Sequence, residues 1–197
     1  MGKLFHNDPP EQAASQRQEL EARYSGARHN ILPILAFTVI NIILLVTNSN
    51  TYFLFSAYVP YVLADLGMFL CGMYPVEYYD AEFAGMVFLG KGFFAAMMVI
   101  AGVILVLYLL CWIFSKKQKM GWLIIALVFF CVDTGIMLLL NGISSDMIVD
   151  IIFHGWVIVS LFRGISACSK LKKLPEDQDL PVAQADSIDE PVLQQQD

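Results

Sequence analysis

The chain has 197 residues, 57% of them hydrophobic, and a formal net charge of −6, whereas ordinary soluble domains are about 45–50% apolar. The excess gathers into long runs of weakly charged residues between 31 and 167, which excludes an ordinary soluble domain and reads as an all-α, polytopic membrane helical bundle. The negative charge collects in the carboxy-terminal tail, and no basic face carries interleaved aromatics, so a nucleic-acid partner is excluded.

Residues 1–30 form a polar amino-terminal segment without a signal-peptide pattern. Met1-Gly2 opens like a myristoylation site, but His6 stands where Ser or Thr is required. Asp8, Pro9, Pro10 and Glu11 make a capping box with prolines in the first turn, so a helix is expected over 8–25. Its mixed charges read as a solvated juxtamembrane helix, with a partner-docking helix as the alternative.

The domain 31–167 follows. Its first span is 31–48, with Pro33 tolerated in the first turn. Thr38, Asn41 and Asn48 fall roughly on one face. Asn41 lies about 15 Å along the helix, at a depth where an asparagine usually bonds another helix and less often contacts a ligand. After the polar break TNSNT comes 49–90, an aromatic exterior cap. It contains the apolar stretch 52–73, interrupted by Ser56, Pro60, Asp65 and Gly67. Tyr58, Tyr61, Asp65, Glu77, Asp80 and Glu82 mark this cap. Its aromatics read as interface anchors. The competing reading is a groove for a hydrophobic ligand or a partner helix, which these acids would bias towards cations.

Spans are expected at about 92–114, 121–140 and 147–165. Gly92/Ala96 and Ser160/Gly164 are small pairs that permit close helix approach. The basic turn SKKQK (115–119) separates the second and third spans. Residues 168–197 read as a disordered, acidic cytoplasmic tail. The four cysteines show no metal or redox spacing and read as packing residues. Met68, Cys71 and Met73 as soft copper ligands is the weaker alternative.

Charge counting selects the topology. With four spans and 49–90 outside, 11 of the 12 Lys and Arg residues fall on one side, Lys91 being the exception. A fifth crossing at 52–73 would split the basic groups between both faces. The expectation is therefore four spans with both termini cytoplasmic, and 52–73 re-entrant or interfacial. Five spans remain the alternative, because 52–73 is long enough to cross.

One constellation carries chemistry. Asp133 and His154 fall at similar depth on neighbouring antiparallel helices, and Asp146, Asp150 and His154 share a face at four-residue spacing. Asn41 reaches the same level. Three readings compete: a structural Asp–His pair, a proton or ion pathway, and a metal site formed weakly by Asp150, His154 and Asp133. The leading expectation is a small non-catalytic membrane protein, an interaction or accessory subunit with no cofactor. Its partners would be the lipid bilayer and a second copy or another membrane protein. The alternative is a proton- or ion-coupled solute carrier; a membrane-embedded metal-dependent hydrolase ranks third. A plasma membrane, by default a bacterial inner membrane, is the expected location.

Overall fold

The computed structural model describes residues 10–49, 51–53, 55–79, 83 and 85–174. Among them it is all-helical: α1 (Pro10–His29), α2 (Ile31–Val46), α3 (Tyr58–Leu70), α4 (Lys91–Phe114), α5 (Met120–Asn141) and α6 (Ile148–Leu171). Four helical runs are long and apolar enough to cross a membrane: Ala14–Val46, α4, α5 and α6. The expected spans thus form, while α3, with 13 residues, is about 20 Å long and too short to traverse the bundle.

These helices are apolar on both faces, which is the signature of a lipid-solvated bundle. Val99 and Val103 on α4, Val128 and Val132 on α5, and Ile152 and Val159 on α6 are exposed. The packed core lies inward. Ile31 and Ile34 of α2 meet Leu123, Ala126 and Phe130 of α5 and Val157 and Leu161 of α6 in one buried cluster.

The amino-terminal helix departs from the expected solvated element. It extends to His29 and runs almost directly into α2, and it buries Leu20, Tyr24 and Ala27. The partner is the chain itself. Leu20 packs with Ala167 and Leu171 of α6, and a Cβ added to Gly164 would lie 2.3 Å from the Cβ of Ala27. α1 also reaches the end of α4. Tyr24 donates its hydroxyl to the Ser115 carbonyl at 2.5 Å, and Arg28 Nε donates to the Trp112 carbonyl at 3.0 Å. Terminal carbonyls of a helix lack intrahelical partners, so α1 caps α4 from outside. The Asp8 and Pro9 part of the capping box lies outside the described residues, as does the tail from 175 onward. Gly92, expected to pack closely, meets no neighbour within 4 Å; the tight contact falls at Gly67, whose added Cβ would lie 3.1 Å from Phe94.

The described residues of 49–90 fold back along the bundle and carry the short apolar helix α3. α2 ends as Ser49 donates its N–H to the Leu44 carbonyl at 2.9 Å, with Asn48 in the left-handed region at φ 54°. The chain then returns alongside α2, where Phe53 meets Asn41, and its described residues are in no helix until Tyr58. α3 climbs back, and the Leu70 carbonyl accepts the Leu89 N–H at 2.8 Å, beside the start of α4. Met68 packs with Ile42 and Leu45, near the end of α2. Both mouths of the element therefore open on the same face.

Candidate functional site

A chain that turns back inside an apolar bundle exposes backbone amides that lipid cannot solvate. The buried polar side chains lie where those amides lie. On α2, Asn41 is 1% exposed. Its Oδ1 accepts the Phe53 N–H at 2.8 Å, and its Nδ2 donates to the Phe53 carbonyl at 2.6 Å and to Ser56 Oγ at 3.0 Å. One carboxamide thus satisfies both backbone groups of Phe53. Three residues earlier on the same face, Thr38 accepts the Ala57 N–H at 2.8 Å while donating back to Ile34. Asn48, grouped with them by periodicity, is exposed at the helix end.

Asp133, 3% exposed on α5, receives the next two amides. Its Oδ2 accepts from Tyr58 at 2.9 Å and its Oδ1 from Val59 at 2.8 Å. These are the first residues of α3, whose cap position is occupied by Ala57, a residue with no polar side chain. Asp133 is therefore the N-cap of α3, supplied by another helix, with its negative charge at the positive end of the helix dipole. Charge-assisted bonds of this kind contribute roughly 1.5–3 kcal/mol each.

Behind Asp133 lies His154, 2% exposed. Its Nδ1 is 2.8 Å from the backbone carbonyl of Asp150. A carbonyl can only accept, so Nδ1 carries a hydrogen. Nε2 lies 3.5 Å from Asp133 Oδ2 and has no hydrogen-bond partner. A neutral ring would turn its Nε2 lone pair towards a carboxylate, whereas a second proton makes an imidazolium–carboxylate pair. The ring stacks on Phe130 with centroids 4.9 Å apart.

The expected constellation is thus partly assembled. Asp133 and His154 meet, and Asn41 serves the same re-entrant stretch. Asp150 contributes its backbone carbonyl to His154. The side chain of Asp146 is not among the described residues. Among the described residues no three His, Cys, Asp or Glu side chains group as a metal would require. Asp150, His154 and Asp133 do not come together as such a group.

Above the re-entrant segment lies a cavity of about 690 Å³. Tyr52, Tyr61, Tyr74 and Tyr78 line it with Asp65 and Glu77, and among the described residues no Lys or Arg lines it. Tyr52 and Tyr61 meet edge to face at 5.1 Å, and Tyr74 stacks on Tyr78 at the same separation. Tyr74 donates to the Asp65 carboxylate, and burial, then that bond, raise its pKa above the ordinary phenol value. Tyr52 also reaches inward, its hydroxyl 3.0 Å from Ser56 Oγ. Of the expected cap residues, Tyr61, Asp65 and Glu77 line the cavity. Tyr58 instead accepts a bond from Asn141 Nδ2 at 2.5 Å, and Asp80 and Glu82 lie outside the described residues.

The chain matches no protein-family profile. Comparison with curated proteins gave no match, and comparison with solved structures gave none either.

Proposed function

We propose that this is a non-catalytic multi-pass membrane protein that acts by recognition, as an interaction or accessory subunit, and that its working surface is the tyrosine-lined vestibule above the re-entrant segment. The observation that carries this reading is the composition of that cavity: four tyrosines and two carboxylates, with no counter-cation among the described residues that line it. Its volume lies in the range of small-molecule sites, about 300–1,000 Å³. Aromatic rings and carboxylates together favour cations. The ligand class is a small organic cation or a basic side chain of a partner. Lys116, Lys117 and Lys119 mark the opposite face as cytoplasmic by the charge rule, so the vestibule looks outward from a plasma membrane.

The test uses the full chain in nanodiscs, with choline and its uncharged isostere 3,3-dimethyl-1-butanol as probes. Saturable binding of choline, at least tenfold tighter than the isostere and weakened in Asp65→Asn and Glu77→Gln, supports the reading. Equal binding of both probes, or none, contradicts it.

A proton-coupled carrier is the second reading, favoured by His154 Nε2 standing unbonded opposite Asp133. Against it stands the other half of the bundle, where Ile31, Ile34, Leu123, Phe130, Val157 and Leu161 pack at 0–2% exposure. Those residues supply no polar side chain to carry a proton onward from Asp133. Proton uptake into liposomes that follows a solute gradient, and is lost in His154→Gln, would establish the carrier instead.

A further inference from the structure

A second cavity, of about 660 Å³, lies between α1 and α6 at the far end of the bundle from the vestibule. Arg23, Arg163 and Lys170 line it, and Trp156, Val159 and Phe162 continue the same wall. Arg163 and Lys170 are seven residues apart, two turns on one helix face, about 10 Å along the axis. Both are exposed, and among the described residues neither has a carboxylate within ion-pair distance, whereas Arg23 is bridged to Glu19 at 2.5 Å. Among the described residues no acidic side chain lines the groove.

The apolar half of the wall faces outward. Trp156 is 55% exposed, Val159 48% and Phe162 64%. These residues precede Arg163 and Lys170 on α6, Trp156 about two turns before Arg163 and Phe162 next to it. Along α6 the order is Trp156, Val159, Phe162, then Arg163 and Lys170, so the groove runs from exposed aromatic and aliphatic surface to two cations at its end. Serine hydroxyls supply donors beside the cations. Ser166 lines the groove, and Ser160, also in the wall, receives Asn30 Nδ2 at 2.6 Å.

We propose that this groove is a binding site for one anionic glycerophospholipid, its phosphate between Arg163 and Lys170 and its acyl chains along Trp156, Val159 and Phe162. A free phosphate ion shares the headgroup chemistry but uses only the cationic end. An occupying lipid would also brace α1 against α6, because both helices form the walls.

The test is native mass spectrometry of the full chain released from micelles containing equal phosphatidylglycerol and phosphatidylcholine of matched chains. One phosphatidylglycerol should be retained, and Arg163→Gln/Lys170→Gln should lower its apparent affinity roughly thirtyfold, about fivefold for each of the two cations. Lys172→Gln/Lys173→Gln carries the same charge change outside the groove and should retain the lipid. Both variants alter exposed positions, so helical content by circular dichroism should match the parent. Equal retention of the two lipids, or equal loss in the two double variants, overturns the proposal. Displacement of the lipid by millimolar glycerol 3-phosphate also overturns it, in favour of a soluble anion site.

Discussion

Asp133 on α5 accepts the amide hydrogen of Val59 at 2.8 Å, and with it takes charge of the amino terminus of α3. The local sequence offers that helix no cap of its own, since Ala57 precedes it. A carboxylate on a helix more than 70 positions away in the chain fills the role. Asp133→Asn keeps the size but leaves one acceptor for two amides and turns an NH2 group towards an N–H. The expected destabilisation is about 3 kcal/mol, as for breaking a buried charged pair. Thermal unfolding in detergent reads it, and hydrogen exchange should rise at Tyr58 and Val59. Unchanged stability and protection would show that the cap is dispensable.

Asn41 makes a parallel case. Asn41→Leu strands the N–H and carbonyl of Phe53, and each unsatisfied buried group costs roughly 1–3 kcal/mol. Exchange should accelerate at residues 51–57 before it accelerates in α2 or α5. A uniform acceleration of the whole bundle would contradict a local anchoring role.

At the other end, Gly164 is required by the approach of α1. Gly164→Ala places its methyl 2.3 Å from the Cβ of Ala27, which backbone on both helices must relieve. The expected result is loss of protection over residues 14–29, with a destabilisation of about 1–3 kcal/mol from overpacking. Ala27→Gly in the same chain should restore most of it. Failure of that rescue would mean that the crossing is not the cause.

Tyr74 gives a pH signature. Its phenol titrates above its ordinary value in the folded chain, so its contribution is fully present below pH about 10 and is lost as pH rises beyond that, when the unfolded phenol ionises first. Tyr74→Phe should therefore cost about 1 kcal/mol near neutrality, and the gap from the parent should narrow above pH about 10. A gap that stays constant to pH 11 would contradict the Tyr74–Asp65 bond.

The sequence exposed the helices because their length and apolarity are set residue by residue, and lipid leaves few alternatives. The pairing of Asp133 with His154 was also legible, since depth on two antiparallel helices joined by a short bend follows from counting. Three things were not. The partner of Asn41 is a stretch of backbone, and backbone amides leave no mark in a residue pattern. The cap from Asp133 to α3 joins positions whose neighbourhood depends on where the re-entrant chain descends; the missing polar residue at Ala57 was the available signal. The docking of α1 was hidden because Leu20, Tyr24 and Ala27 are a sparse stripe among charges, although they recur at helical spacing.

The most direct test of the account is the sidedness of the re-entrant segment. With the four native cysteines replaced, single cysteines at Ser49, Glu77, Gln16 and Lys119, all exposed, are labelled in intact cells with an impermeant maleimide. The account predicts that Ser49 and Glu77 label in intact cells, while Gln16 and Lys119 label only after lysis. Opposite behaviour of Ser49 and Glu77 would mean that the chain crosses between them, and would contradict the re-entrant segment and the vestibule built on it.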